Sequence, residues 1–125
     1  SISIGMFRWP VTGEITSAYG QRTSGFHHGI DIAQEYGAPI KAAADGIVTF
    51  SGSKSVYGKT VIIRHDDGRE TLYAHAQSIL VHKNQKVREG QIIALVGTTG
   101  RTTGPHLHFE VRVNGKNVNP LNQLR

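Results

Sequence analysis

The chain has 125 residues, 38% hydrophobic and 18% charged, with 15 glycines, 4 prolines and no cysteine. That length fits one domain, residues 1–125, around one core, and the balance excludes both disorder and a collagen-like repeat. A formal charge of +5 suits an anionic partner. Even so, the basic residues stand singly (Arg22, Lys41, Lys59, Arg64, Arg88, Arg101) without the clustering or stacking aromatics of a nucleic-acid reader.

Without cysteine, neither a disulfide framework nor a thiolate site is available, so any metal must rest on His, Asp or Glu. No apolar run approaches the roughly 20 residues of a membrane-spanning helix. Ser1 to Pro10 lacks the layout of a secretion signal, so the chain reads as a mature form or an excised domain.

Helical periodicity is scarce, whereas short alternating runs bounded by Gly, Asp and Asn recur along the chain. That pattern predicts an all-β, mainly antiparallel protein with few or no helices. In His27-His28-Gly29-Ile30-Asp31 the glycine argues against a helix, and strand geometry would put His27 and Asp31 on one side with His28 pointing away. Ala38–Ala44 and Gly46–Gly52 flank Asp45-Gly46 and read as a hairpin. Lys59–His65 and Arg69–His75 flank Asp66-Asp67-Gly68 and read as another, closed by a glycine at positive φ. Gln91–Val96 is a further strand leading into Gly97–Pro105, a loop glycine-rich enough to approach a ligand or another backbone closely. A strand follows that loop, and no Gly-Lys-Ser/Thr triplet is present, so phosphate binding is discounted.

The last strong strand is His106–Val113. It alternates strictly, with His106, His108, Glu110 and Arg112 on one face and Leu107, Phe109, Val111 and Val113 on the core face. One imidazole of His106-Leu107-His108 together with His27 and Asp31 makes two histidines and a carboxylate, a set that binds catalytic zinc with a position left open for water. His75 closes a strand on the same side as Tyr73 and Thr71 and could face such a metal without ligating it. His28 reads as structural, and spacing suggests no partner for His65 or His82.

These residues together resemble the lysostaphin and LytM type of cell-wall metallopeptidase. The likeness is carried by His27–Asp31 (HHGID), Tyr73–His75 (YAH) and Gly104–Glu110 (GPHLHFE), and it extends in order from Phe7 to Pro120 through FRWPVTGEITSAYGQR, GAPIKAAADGIV, YGKTVIIRHDDG, VREGQIIALVGTTGRTTG and VNP. Residue by residue, the resemblance makes His27, Asp31 and His108 the ligands of one zinc ion. It makes His75 and His106 a catalytic pair beside the metal, and Arg22 a residue that holds substrate or shapes the site.

The resemblance also implies a curved antiparallel sheet with a strand-floored, loop-walled groove. The implied activity is hydrolysis of peptide cross-links or stem peptides of peptidoglycan, in the periplasm or outside the cell. Two departures, Asn84-Gln85 for a usual Gly-Asp turn and Ala76-Gln77 for a usual leucine, touch none of these positions. Two rival readings stand beside the peptidase: a silent domain of the same fold that binds wall peptide or a partner protein, and a biotin- or lipoate-carrier-like hairpin at GAPIKAAADGIV. The carrier reading lacks its lysine, since the turn there is Asp45-Gly46.

Overall fold

A computed structural model describes residues 5–23 and 25–125; the first four residues of the N-terminal stretch read for a leader lie outside them. The described residues form an all-β protein whose only helical element is a 3-10 turn at Pro120–Asn122. Strand β1 is Ile15–Ser17, β2 Gly20–Arg22, β3 Gly25–His27, β4 Ile30–Ala33, β5 Pro39–Lys41, β6 Gly46–Lys54, β7 Gly58–His65, β8 Glu70–Ile79, β9 Lys86–Val87, β10 Ile92–Val96, β11 His106–Val113 and β12 Lys116–Val118. Ten of them share one sheet, whose main path runs β1-β4-β11-β8-β7-β6-β9, with β10 joining β8 to β5 and β12 beside β11; β2 and β3 pair separately. Every strand pair is antiparallel.

The β7–β8 hairpin forms as the sequence predicts, with Gly68 at φ +89° in its turn. The expected hairpin at Asp45-Gly46 does not form: β5 pairs with β10, and β6 pairs with β7 and β9. Gly46 serves packing there, because a Cβ on it would lie 2.4 Å from the Arg64 carbonyl oxygen. At Asn84-Gln85, one of the two departures from the resemblance, Asn84 adopts φ +74°, a left-handed conformation that asparagine tolerates better than most residues.

One face of the sheet covers a core that includes Ile30, Ile32, Ile63, Tyr73, Ile93, Leu107, Phe109 and Val111, all fully buried. A smaller cluster of Ile62, Leu72 and Ala74, backed by Phe50 and Tyr57, covers the other face. β11 is buried from Leu107 to Val111 because β4 and β8 flank it and apolar residues lie above and below. The site is therefore built on a central, fully paired strand.

His65, for which spacing suggested no partner, lies in the core. Its Nδ1–H donates to the Asp45 carbonyl at 2.8 Å, and its Nε2 meets the Thr71 hydroxyl at 2.7 Å, which in turn meets the Tyr73 hydroxyl at 2.7 Å. Burial lowers the pKa of His65, with the Asp45 hydrogen bond opposing it. The folded state thus binds a proton at His65 less tightly than the unfolded chain does. That contribution to stability is intact above the ordinary imidazole value and is lost as pH falls through it toward the folded value. Urea unfolding at about pH 7.5 and about pH 5.5 should show wild type weakening in acid. His65→Asn should cost about 1–3 kcal/mol at the higher pH and show a shallower acid loss; an equally steep loss in that variant would remove His65 as the cause.

Candidate active site

Between β4 and β11 the register sets His108 opposite Asp31, and between β11 and β8 it sets His108 opposite Ala74. Directly opposed residues emerge on the same face of a sheet, so His108 and Asp31 project together. His27 arrives by a different route from the one its spacing suggested. Rather than sharing one strand with Asp31, it ends β3 in the small sheet, and a bend through His28 and Gly29 brings the chain onto β4. Gly29 permits that bend because a Cβ there would lie 2.3 Å from the Phe109 carbonyl oxygen. His28 takes no part in the cluster; it is exposed, its ring 5.2 Å from that of Phe26, and it lines the same groove.

The three side chains converge closely. His27 Nε2 lies 3.2 Å from His108 Nδ1, and Asp31 Oδ1 lies 3.0 Å from His108 Nδ1 and 3.4 Å from His27 Nε2. One ligand atom from each falls within 4.8 Å of the others, an arrangement able to hold a metal ion. The outer nitrogens are committed elsewhere. His27 Nδ1–H donates to the Ala18 carbonyl at 3.0 Å, and His108 Nε2–H donates to Glu110 Oε2 at 2.8 Å. Both inner nitrogens then present lone pairs toward one point beside a carboxylate oxygen, which fits a cation.

The electrostatics agree with that fit. Burial lowers the pKa of His27 despite the Ala18 and Asp31 contacts. Burial alone would raise that of Asp31, but the hydrogen bond and charge of His108 bring it down. For His108 burial acts downward, and its bonds to Asp31 and Glu110 outweigh it, so its pKa is raised.

His75 and His106 stand beside the cluster, their ring centroids 4.9 Å apart, with His75 6.0 Å from the His108 ring and His106 Nε2 3.6 Å from Asp31 Oδ1. The expectation that His75 shares a side with Tyr73 and Thr71 is wrong. Those two lie opposite Phe109 and Val111 on the core face, and regular alternation would bury His75 with them. A bulge intervenes: the β7 stretch Lys59–Val61 faces Tyr73–Ala76 of β8, and His75 takes φ +63°. The extra residue turns its side chain to the site face. Its Nδ1–H donates to the Thr99 carbonyl at 2.8 Å and that of His106 to the Gly104 carbonyl at 2.9 Å, which leaves Nε2 of each with a lone pair. Burial lowers the pKa of His75, so that imidazole is neutral near pH 7.

The loop Gly97–Pro105 approaches another backbone as its composition suggested. A Cβ on Gly58 would lie 2.4 Å from the Thr99 carbonyl carbon, and one on Gly100 2.4 Å from the Val56 carbonyl oxygen. A groove of about 870 Å³ runs over all five residues, walled in part by Arg22, Phe26, Tyr57, Arg101 and Thr102. Arg22 donates to the Ser17 hydroxyl, which lies 3.3 Å from His27 Nδ1, so it braces His27 as well as lining the groove. His82 lies away from the site, exposed, with Nδ1 donating to the Lys83 carbonyl.

Two site residues received no role from the sequence. Glu110 is 1% exposed and accepts from His108, Tyr57, Asn117 and Arg112. Burial alone would raise its pKa, but those hydrogen bonds, His108 foremost, hold it at about 2. The Tyr57 hydroxyl, bonded to Glu110 at 2.7 Å, is pushed up to about 12 by burial and that contact. The signal for Glu110 was its place on the histidine face of β11; for Tyr57, distant in sequence, there was none.

The comparisons with known proteins match the same elements. Residues 25–120 match the model of peptidase family M23. Over 113 residues, 86% of this chain, the sequence is 50% identical to the DD-carboxypeptidase/endopeptidase Mpg of Neisseria meningitidis, covering 26% of that protein. Over 125 residues, 99% of this chain, it is 43% identical to the murein hydrolase activator NlpD of Escherichia coli, covering 32% of that protein. The chain thus spans about a quarter to a third of the length of these curated relatives. Among solved structures, a zinc-containing peptidase from Vibrio cholerae superposes with a TM-score of 0.87 at 39% identity, covering 93% of this chain and 39% of that one. The lysostaphin- and LytM-type likeness of the three histidine motifs therefore has its place: the chain belongs to peptidase family M23.

Proposed function

We propose that residues 1–125 form a single catalytic domain that holds one zinc ion through His27, Asp31 and His108 and hydrolyses peptide bonds in the cross-links or stem peptides of peptidoglycan. The observation that carries this reading is the convergence of His27 Nε2, Asp31 Oδ1 and His108 Nδ1 with His75 and His106 beside them. The family match and the DD-endopeptidase relative support the reaction class. A zinc ion so held supplies a Lewis acid that polarises a peptide carbonyl and acidifies water.

The chain's own residues handle orientation and protons. Because the Thr99 and Gly104 carbonyls hold the Nδ1 protons of His75 and His106, each Nε2 is free to take a proton and return it to the leaving amine, or, once protonated, to donate to a developing oxyanion. The groove gives an extended peptide room to lie across the site, with Arg22 and Arg101 at its walls. Such a substrate places the working protein in the periplasm or at the cell wall. No helix among the described residues is long and apolar enough to cross a membrane.

A second reading has its own observation, the 43% identity to a murein hydrolase activator along the whole chain. In that reading the groove binds wall peptide or a partner protein without cutting. The intact set of His27, Asp31, His75, His106 and His108 favours the peptidase.

Metal content and cleavage, measured on the same samples, separate the two readings. Wild type should carry about one zinc per chain, and His27→Ala, Asp31→Ala and His108→Ala should lose it; normal metal content in those variants would sink the ligand set. His75→Ala and His106→Ala should retain zinc while hydrolysis of wall peptides falls by about 10²- to 10⁴-fold. A domain that binds without cutting would instead show no hydrolysis in the zinc-loaded wild type.

A further inference from the structure

The geometry points to Glu110 as the positioning residue that decides which nitrogen of His108 is free to bind a metal; this rests on the zinc reading above. The four imidazoles of the site are not oriented alike. His27, His75 and His106 each turn Nδ1–H outward to a main-chain carbonyl, leaving Nε2 inward. His108 is reversed, with Nε2 outward and Nδ1 inward, and its outward partner is a side chain. Three tautomers are thus set by the backbone, and His108's is set by Glu110.

The partners of Glu110 fix its role. Oε1 accepts from Asn117 Nδ2 at 2.8 Å and Arg112 Nη2 at 3.2 Å; Oε2 accepts from the Tyr57 hydroxyl at 2.7 Å and His108 Nε2 at 2.8 Å. The guanidinium only donates. The Asn117 amide also donates from the same Nδ2 to the His28 carbonyl at 3.2 Å, so its NH₂ end is held toward Glu110. A carboxylate satisfies both sides at once because each oxygen accepts, and it requires the proton of His108 to sit on Nε2. Nδ1 then keeps its lone pair beside His27 Nε2 and Asp31 Oδ1.

An amide of the same shape cannot do this. In Glu110→Gln the carbonyl oxygen must face Arg112 and Asn117, because an NH₂ there would meet only donors. The amide NH₂ then faces His108 and Tyr57. The tyrosine hydroxyl can rotate to accept, but His108 Nε2 can accept only by moving its proton to Nδ1. That proton finds Asp31 Oδ1, 3.0 Å away, so the variant folds with a satisfied hydrogen-bond network and one metal ligand withdrawn.

Zinc dissociation constants from chelator competition, together with ¹⁵N-edited imidazole spectra of the metal-free proteins at a pH where the ring is neutral, test this. Glu110→Gln should bind zinc about 10- to 100-fold more weakly, and its His108 should change from the Nε2–H to the Nδ1–H tautomer. Adding Asn117→Asp gives up the Asn117 donor to the His28 carbonyl but supplies an acceptor opposite the amide, lets the glutamine oxygen face His108 again, and should recover most of the lost affinity. Wild-type affinity in Glu110→Gln, an Nε2–H tautomer persisting in that variant, or no recovery in the double variant would each overturn the assignment. Should Glu110→Gln fail to fold, the double variant, with an acceptor again opposite the amide, must fold and bind zinc. If wild type binds no zinc the metal reading fails, while the tautomers of the metal-free proteins still decide the role of Glu110.

Discussion

The pairing of β4 with β11, which sets Asp31 against His108, is the constraint on which the site depends, since side chains on paired strands have a period of two and a one-residue slip would send either group to the opposite face. What prevents the slip is the core. Ile30 and Ile32 on β4 and Leu107 and Phe109 on β11 are fully buried, and any shift that removed Asp31 from the site would also drive these side chains out of the apolar layer. Burying one such side chain contributes about 1.5–3 kcal/mol, so a slip that exposed all four would forfeit about 6–12 kcal/mol. The same alternation that makes β11 a core strand turns His108 and Glu110 to the site.

A second constraint acts on His75. Its left-handed conformation costs an L-residue about 1–2 kcal/mol, and it persists because the surroundings determine it from several sides. The backbone N–H of His75 donates to the Tyr57 carbonyl at 2.8 Å, and the Thr99 hydroxyl donates to the Ala76 carbonyl while accepting from Lys59 N–H. These contacts form only because Gly58 and Gly100 let the two backbones come together where a Cβ would collide. The glycines of the 97–105 loop thus act on the chemistry at one remove, by delivering the Thr99 carbonyl that orients the His75 ring.

Local periodicity carried much of this fold and site into the sequence, and long-range pairing hid the rest. The all-β class, the β7–β8 hairpin and the two faces of β11 follow from alternation and turn chemistry within a few residues. The Asp45-Gly46 hairpin failed because the partner of β5 is β10, some fifty residues later, a choice made by tertiary packing. His75 was identified as a site residue by resemblance, yet its facing could not be read, since a bulge looks like ordinary strand in sequence. His27 and Asp31 were paired correctly for an incorrect reason: a bend at Gly29, where the expectation had a continuous strand, brings them together. His65 passed for a residue without partners because Asp45, Thr71 and Phe7 reach it only through the sheet.

The two carboxylates of the site show how one sheet gives like groups unlike tasks. Asp31 stands at the rim of the cluster, where the imidazoles of His27, His106 and His108 share its Oδ1, whereas Glu110 lies beneath His108 with both oxygens engaged by donors. Only the first belongs to the group that could hold a metal ion; the second holds the His108 ring from the far side. A domain that merely held wall peptide would need neither the strained His75 backbone nor two further imidazoles with their Nε2 lone pairs kept free. Strain held in place by three separate backbone contacts is better understood as serving proton transfer than as serving adhesion. That asymmetry between what binding requires and what the chain maintains is the physical ground for reading this domain as a peptidase.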